Sequence, residues 1–127
     1  MKRHEALAPL SREHHNALIL AQLLKKGAPA YRGMPADTEG KVSYAANFFT
    51  TDLIEHFRKE EAVLEKVRHV NEQIAGLADE IIAEHKMLSD LFTGLETAKD
   101  KIAALDETGR LLEAHVRKEE RVLFPLI

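Results

Sequence analysis

Residues 56–64 read His-Phe-Arg-Lys-Glu-Glu-Ala-Val-Leu and residues 115–123 read His-Val-Arg-Lys-Glu-Glu-Arg-Val-Leu, identical at seven of nine positions. Each copy sets a Glu four residues after a His: His56 with Glu60, and His115 with Glu119. On a helix, residues i and i+4 share a face, so each pair can reach one point in space. That face is the apolar one. His56 follows Leu53 by three and Phe49 by seven, and Glu60 precedes Val63 and Leu64. His115 follows Leu111 by four, and Glu119 precedes Val122 by three. On helices, both pairs therefore point inward.

The rest of the sequence supplies the helices. Apolar residues step by three or four throughout, the helical period, and no window alternates as a half-buried strand would. A first helix starts at Pro9 and Ser11, with Ser11 as its expected N-cap, and stops at Gly27. Residues 27–40, with Gly27, Pro29, Gly33, Pro35 and Gly40, read as a loop. A second helix is expected over 41–68, a third over 72–98 behind an Asn71 cap, and a fourth over 101–123 before Pro125. Short joints after the second and third helices force antiparallel neighbours. The expected fold is all-α, an up-down-up-down antiparallel four-helix bundle formed as a single domain over 1–127.

Direction and depth then bring more histidines to the same place. His85 sits between Ile81 and Leu88 at the centre of the third stripe, and His14 falls in line with Leu10, Leu18 and Ala21. His15 lies nearer the edge of that stripe and stays an alternative to His14. With joints near residues 70 and 100, His56, His85 and His115 all lie 14 or 15 residues from a joint, level at ~20 Å. A buried, unpaired carboxylate costs several kcal/mol and an unsatisfied imidazole ~1–3. Four His and two Glu left without partners would consume most of the ~5–15 kcal/mol that holds a domain folded. A metal relieves that cost more fully than mutual hydrogen bonds do. Six N/O ligands exceed the needs of one tetrahedral zinc and suit two first-row ions bridged by the carboxylates, with iron favoured over manganese or zinc.

Composition excludes several other functions. There is no Cys, hence no thiolate zinc site, iron–sulfur cluster or cysteine nucleophile. A net charge of −3, from 18 Lys+Arg against 21 Asp+Glu, lacks the footprint of a nucleic-acid binder. No run is long and apolar enough for a membrane span, and the start Met1-Lys2-Arg3-His4-Glu5 leads into no signal peptide, so a cytoplasmic location is expected. The Glu-x-x-His spacing of ferritin-like carboxylate proteins is missing, because Leu53, Ile82 and Leu112 stand three before His56, His85 and His115. His4 and His69 read as solvated, as do Glu61, Glu120 and the pairs Arg58-Lys59 and Arg117-Lys118. Phe49, Phe57, Phe92 and Phe124 read as core.

The ordered set resembles the hemerythrin-like, or HHE cation-binding, family. It comprises Leu10-Ser11-Arg12-Glu13-His14-His15, His56…Glu60, His85, and His115…Glu119 followed by Val122-Leu123-Phe124-Pro125. The resemblance implies a four-helix bundle around a non-heme di-iron centre, with roles in reversible O2 binding, oxygen or redox sensing, NO binding or iron handling. Carried over, Glu60 and Glu119 resemble the bridging carboxylates. His14 or His15 with His56 would hold one iron, and His85 with His115 the other. The oxygen carriers of the family have two His four apart on the third helix, whereas Ile81 and Ser89 flank His85 here. That departure leaves room for oxidation chemistry, sensing or another metal. The expected function is a metal-binding protein, not an enzyme, with O2 or NO as ligand. Iron storage, a weak oxidase or a metal-free interaction bundle are the alternatives.

Overall fold

The computed structural model describes residues 5–127. Four antiparallel helices pack against one another in up-down-up-down order. Helix α1 is Ala8–Leu24. Helix α2 is one continuous rod of three segments, α-helical Thr38–Phe48, a π-helical turn Phe49–Leu53, and α-helical Ile54–Val67. Helix α3 is Glu72–Thr93. Helix α4 is Lys101–Lys118, continued by a π-helical turn Glu119–Leu123 and a 3-10 turn Phe124–Leu126.

The caps explain most of the boundaries. Asn71 accepts a hydrogen bond from Ile74 N–H, as its position in the sequence suggests. Asp37 and Asp100 do the same for Gly40 and Ala103. Asp37 thereby starts α2 at Thr38, and Gly40, read from sequence as loop, is helical. The expected Ser11 cap is not formed. Helix α1 begins a turn earlier, behind Leu7, because Leu7 and Leu10 are both buried. The Ser11 hydroxyl instead donates to Glu120 at 2.8 Å. Helix α3 ends at Thr93, short of the expected 98, where Gly94 follows as C-cap.

The π-helical turns correct one residue of the sequence reading. An α-helical phase puts Val122 inward, three after Glu119, yet Val122 is exposed while Leu123 and Phe124 are buried. The wider turn from Glu119 to Leu123, closed by Phe124 N–H donating to Glu119 O, carries one extra residue and delays the stripe by that amount.

Two apolar layers sandwich a polar one. Above it lie Ala17, Leu20, Leu53, Phe57, Leu88, Phe92, Leu112 and Val116, among others. Below it lie Leu7, Leu10, Leu64, Ala78, Ile81, Leu123 and Phe124. On each helix the break between the two layers falls at His14, His56–Glu60, His85 or His115–Glu119. Helices α1 and α4 pass close together at Gly109, where a Cβ would stand 2.7 Å from Ala21 O and 3.0 Å from Leu24 Cβ. Glycine at that point lets the two backbones meet.

Candidate metal centre

All four inward histidines and both inner carboxylates are buried. Their ligand atoms fall into two groups, each able to hold one ion: His14, His56 and Glu60, and Glu60, His85, His115 and Glu119. Glu60 belongs to both. Its Oε2 lies 3.0 Å from His14 Nε2 and 3.1 Å from His56 Nε2, while its Oε1 lies 2.9 Å from His85 Nε2. Glu119 Oε1 likewise lies 2.9 Å from His115 Nε2 and 3.3 Å from His14 Nε2. The His rings pair edge to face, His14 with His56 at 4.8 Å and His85 with His115 at 5.0 Å between centroids.

Each imidazole turns its Nε2 to these carboxylates and its Nδ1 to another Glu on a neighbouring helix. His14 Nδ1 meets Glu120 at 2.6 Å, His56 meets Glu13 at 2.7 Å, His85 meets Glu61 at 2.7 Å and His115 meets Glu84 at 2.7 Å. An ionised carboxylate only accepts, so the outer Glu fixes a proton on Nδ1 and leaves Nε2 facing inward, where it offers a lone pair once its own proton is lost. Glu61 and Glu120, read from sequence as solvated, are corrected here: both are half-buried backing groups. Lys59 and Lys118, read as exposed faces, donate to Glu13 and Glu84.

Sequence reasoning assigned Glu13 no role and set Glu84 aside as a ligand, because it lies ~100° round the helix from His85. A signal was present nonetheless. Glu13-His14 and Glu84-His85 are matching dipeptides on α1 and α3, facing the two matching His-x-x-Lys-Glu-Glu segments of α2 and α4. The structure repeats the pattern with pseudo-twofold order, α1 exchanging with α3 and α2 with α4. His15, the alternative to His14, is exposed and is in neither group. His69 is exposed as expected, and His4 lies outside the described residues. Phe57 stacks on His85 at 4.1 Å and Phe124 on His14 at 5.7 Å, so two of the four core phenylalanines also wall the site.

The electrostatics are those of a proton-bound stand-in for cations. Burial pushes the His14 imidazole down, but the adjacent Glu119 and Glu60 carboxylates outweigh this and carry it up to about 10. Burial likewise opposes the charge on His115, and Glu119 and Glu84 bring it up to about 9. Burial raises the Glu60 carboxyl, yet contacts with His14, His56 and His85 hold it well below the usual carboxylate range. Burial and the neighbouring Glu60 charge push Glu119 the other way, up.

The donors fit metal ions better than they fit each other. His115 Nε2 and both Glu119 oxygens are buried without a hydrogen bond. The His115 Nε2 and Glu119 Oε1 atoms are only 2.9 Å apart, but off the line a hydrogen bond requires. Lone pairs that converge beside one another, rather than on one another, are the arrangement of ligands around a shared point. Two imidazoles per half, bridging carboxylates and no sulfur suit a pair of first-row ions.

A profile of the hemerythrin HHE cation-binding domain matches residues 4–127. The chain belongs to the hemerythrin HHE cation-binding family. No curated protein and no solved structure matches it significantly. Within this hemerythrin-family fold the two His/Glu groups are geometrically suited to a carboxylate-bridged two-metal centre.

Proposed function

We propose that this protein is a di-iron hemerythrin-like binder of O2 or NO, acting as a carrier or as a sensor of oxygen or redox state. His14 and His56 would hold one iron, His85 and His115 the other, with Glu60 and Glu119 across both. The observation that carries this reading is Glu60, whose two oxygens face different halves of the site. A di-iron pair bound here supplies electrons and a coordination position for a diatomic ligand. The chain's own part is to hold the ligand atoms level, fix each ring by its Nδ1 partner and keep bulk water out with two apolar layers.

Asymmetry between the halves favours ligand binding near His85. Ile81, one turn before it, is buried among apolar residues and offers no donor. Ser89, one turn after, spends its hydroxyl on His85 O at 2.8 Å. A cleft of about 380 Å³ lined by Ile54, Phe57 and Ile82 together with Arg58, Glu61, His85, Lys86 and Ser89 opens onto this side. Its partly apolar walls suit a small, weakly polar ligand. The same missing donor supports iron handling or weak oxidase chemistry as the second reading, with manganese or zinc as other occupants. No helix among the described residues is long and apolar enough to cross a membrane. A single domain over 1–127 and a cytoplasmic location are further parts of the proposal.

Anaerobic titration of the Fe(II)-loaded protein with NO, and then with O2, tests the proposal. Saturable spectral changes at one diatomic ligand per di-iron site are expected, reversed on removing O2. Irreversible oxidation on the first exposure to O2, with no saturable NO signal, favours iron handling.

A further inference from the structure

Resting on the di-metal reading, the geometry points to Lys59 and Lys118 as positioning residues that set how strongly two of the ring ligands donate. Each acts through a carboxylate. Lys59 Nζ donates to Glu13 Oε2, and the other oxygen of Glu13 accepts from His56 Nδ1 at 2.7 Å. Lys118 Nζ lies 2.9 Å from Glu84 Oε2, and the other oxygen of Glu84 accepts from His115 Nδ1 at 2.7 Å. The two chains His–Glu–Lys are built alike: His and Lys stand three apart on α2 or α4, and the Glu comes from α1 or α3, one residue before His14 or His85. Each Lys therefore reads the same carboxylate as the imidazole one turn away.

The chemistry gives the effect a sign. A Lys drawing on one carboxylate oxygen lowers the basicity of the other, so the His Nδ1–H bond weakens and the ring stays a neutral imidazole. Without the Lys, the carboxylate pulls harder on the Nδ1 proton, the ring gains imidazolate character and becomes a better donor at Nε2. A stronger donor favours the oxidised metal. Both lysines are thus expected to keep the reduction potential of the centre high, as a reversible ligand binder needs. Lys59 and Lys118 side chains are 40% and 30% exposed, so water moderates the effect without abolishing it.

The test compares Lys59→Met, Lys118→Met, Lys59→Arg and Arg117→Met with the wild type. Arg117 is the control, because it pairs with Glu113 and touches no carboxylate that backs a ligand. Two readouts are taken: the potential of the iron-loaded protein, and the Nδ1–H proton shifts of His56 and His115 in the zinc-loaded protein. Each Met variant is expected to raise the oxidised-to-reduced ratio at fixed potential about tenfold, a shift of about 59 mV for a one-electron step. Lys59→Met moves the His56 Nδ1–H downfield and leaves His115 in place; Lys118→Met does the reverse. Lys59→Arg and Arg117→Met stay near wild type. Equal shifts in Lys59→Met and Arg117→Met, or none in either Lys variant, overturn the inference while leaving the di-metal reading intact. A wild type that takes up no metal overturns both. Circular dichroism of each metal-free variant verifies the fold, and either lysine position alone decides the matter.

Discussion

Glu119 Oε1 lies 3.3 Å from His14 Nε2, although the two residues come from opposite ends of the chain and His14 belongs to the other half of the site. This contact, with the 2.9 Å approach to His115, lets one carboxylate serve both halves. It also makes Glu119 a liability without metal, since burial and the Glu60 charge both push its carboxyl up.

Glu119→Gln is therefore expected to separate stability from metal binding. The amide keeps the shape and removes the like charge facing Glu60. Metal-free stability should hold within about 1 kcal/mol of wild type or rise. The stabilisation that metal confers on the wild type should largely vanish. Urea melts with and without Fe(II) under argon measure both. A variant that loses stability without metal yet still gains the full increment on loading contradicts this role.

Proton linkage follows from the raised imidazoles. His14 at about 10 and His115 at about 9 are protonated near neutral pH in the metal-free protein and must lose those protons to ligate. Loading should release about two protons per site, so apparent affinity climbs with pH up to about 9. The stability of the metal-free chain moves the other way. Both folded values exceed 6.5, so their contribution is complete below 6.5 and fades as pH rises through about 9 to 10. Glu60 acts at the acid end: it is held below 4.5, its contribution is present above 4.5, and acid removes it. Calorimetry in buffers of different ionisation heat counts the protons. A pH-independent affinity between pH 6 and 9 contradicts the linkage.

Ile81→His tests the asymmetry beside His85. A His there stands one turn from His85 on the same face, replacing a fully buried Ile. The metal-free variant should lose about 1–3 kcal/mol through the buried polar ring, and metal should restore it. Autoxidation of the loaded protein should slow and O2 binding become more reversible. An unchanged autoxidation rate shows that the absent imidazole does not govern the chemistry.

Gly109→Ala tests the close passage of α1 and α4. Alanine gains about 1 kcal/mol in helix propensity, but its Cβ meets Ala21 O at 2.7 Å. Overpacking of this kind costs about 1–3 kcal/mol, so net destabilisation is expected in a urea melt. A variant as stable as wild type means the helices separate freely there.

What was legible in the sequence followed the apolar stripes. His14, His56, His85 and His115 lie on them, as do Glu60 and Glu119, so direction and depth could be read from spacing alone. The outer layer could not be read that way. Glu13, Glu61, Glu84 and Glu120 flank the stripes, where a carboxylate is ordinarily solvated; only the packing of neighbouring helices turns them onto an Nδ1. Val122 was misplaced because a π-helical turn is a tertiary choice that leaves no mark on a 3.6-residue period. The Ser11 cap failed for a similar reason: burying Leu7 extends the helix and frees the hydroxyl for Glu120.

The most direct measurement is iron bound per chain after anaerobic Fe(II) loading and desalting, with wild type and Glu119→Ala side by side. The bridged site predicts about two irons in the wild type, from one ion for each His/Glu group, and a clear fall in the variant. Iron near zero in both, or equal retention in both, contradicts a centre that Glu119 helps to bridge.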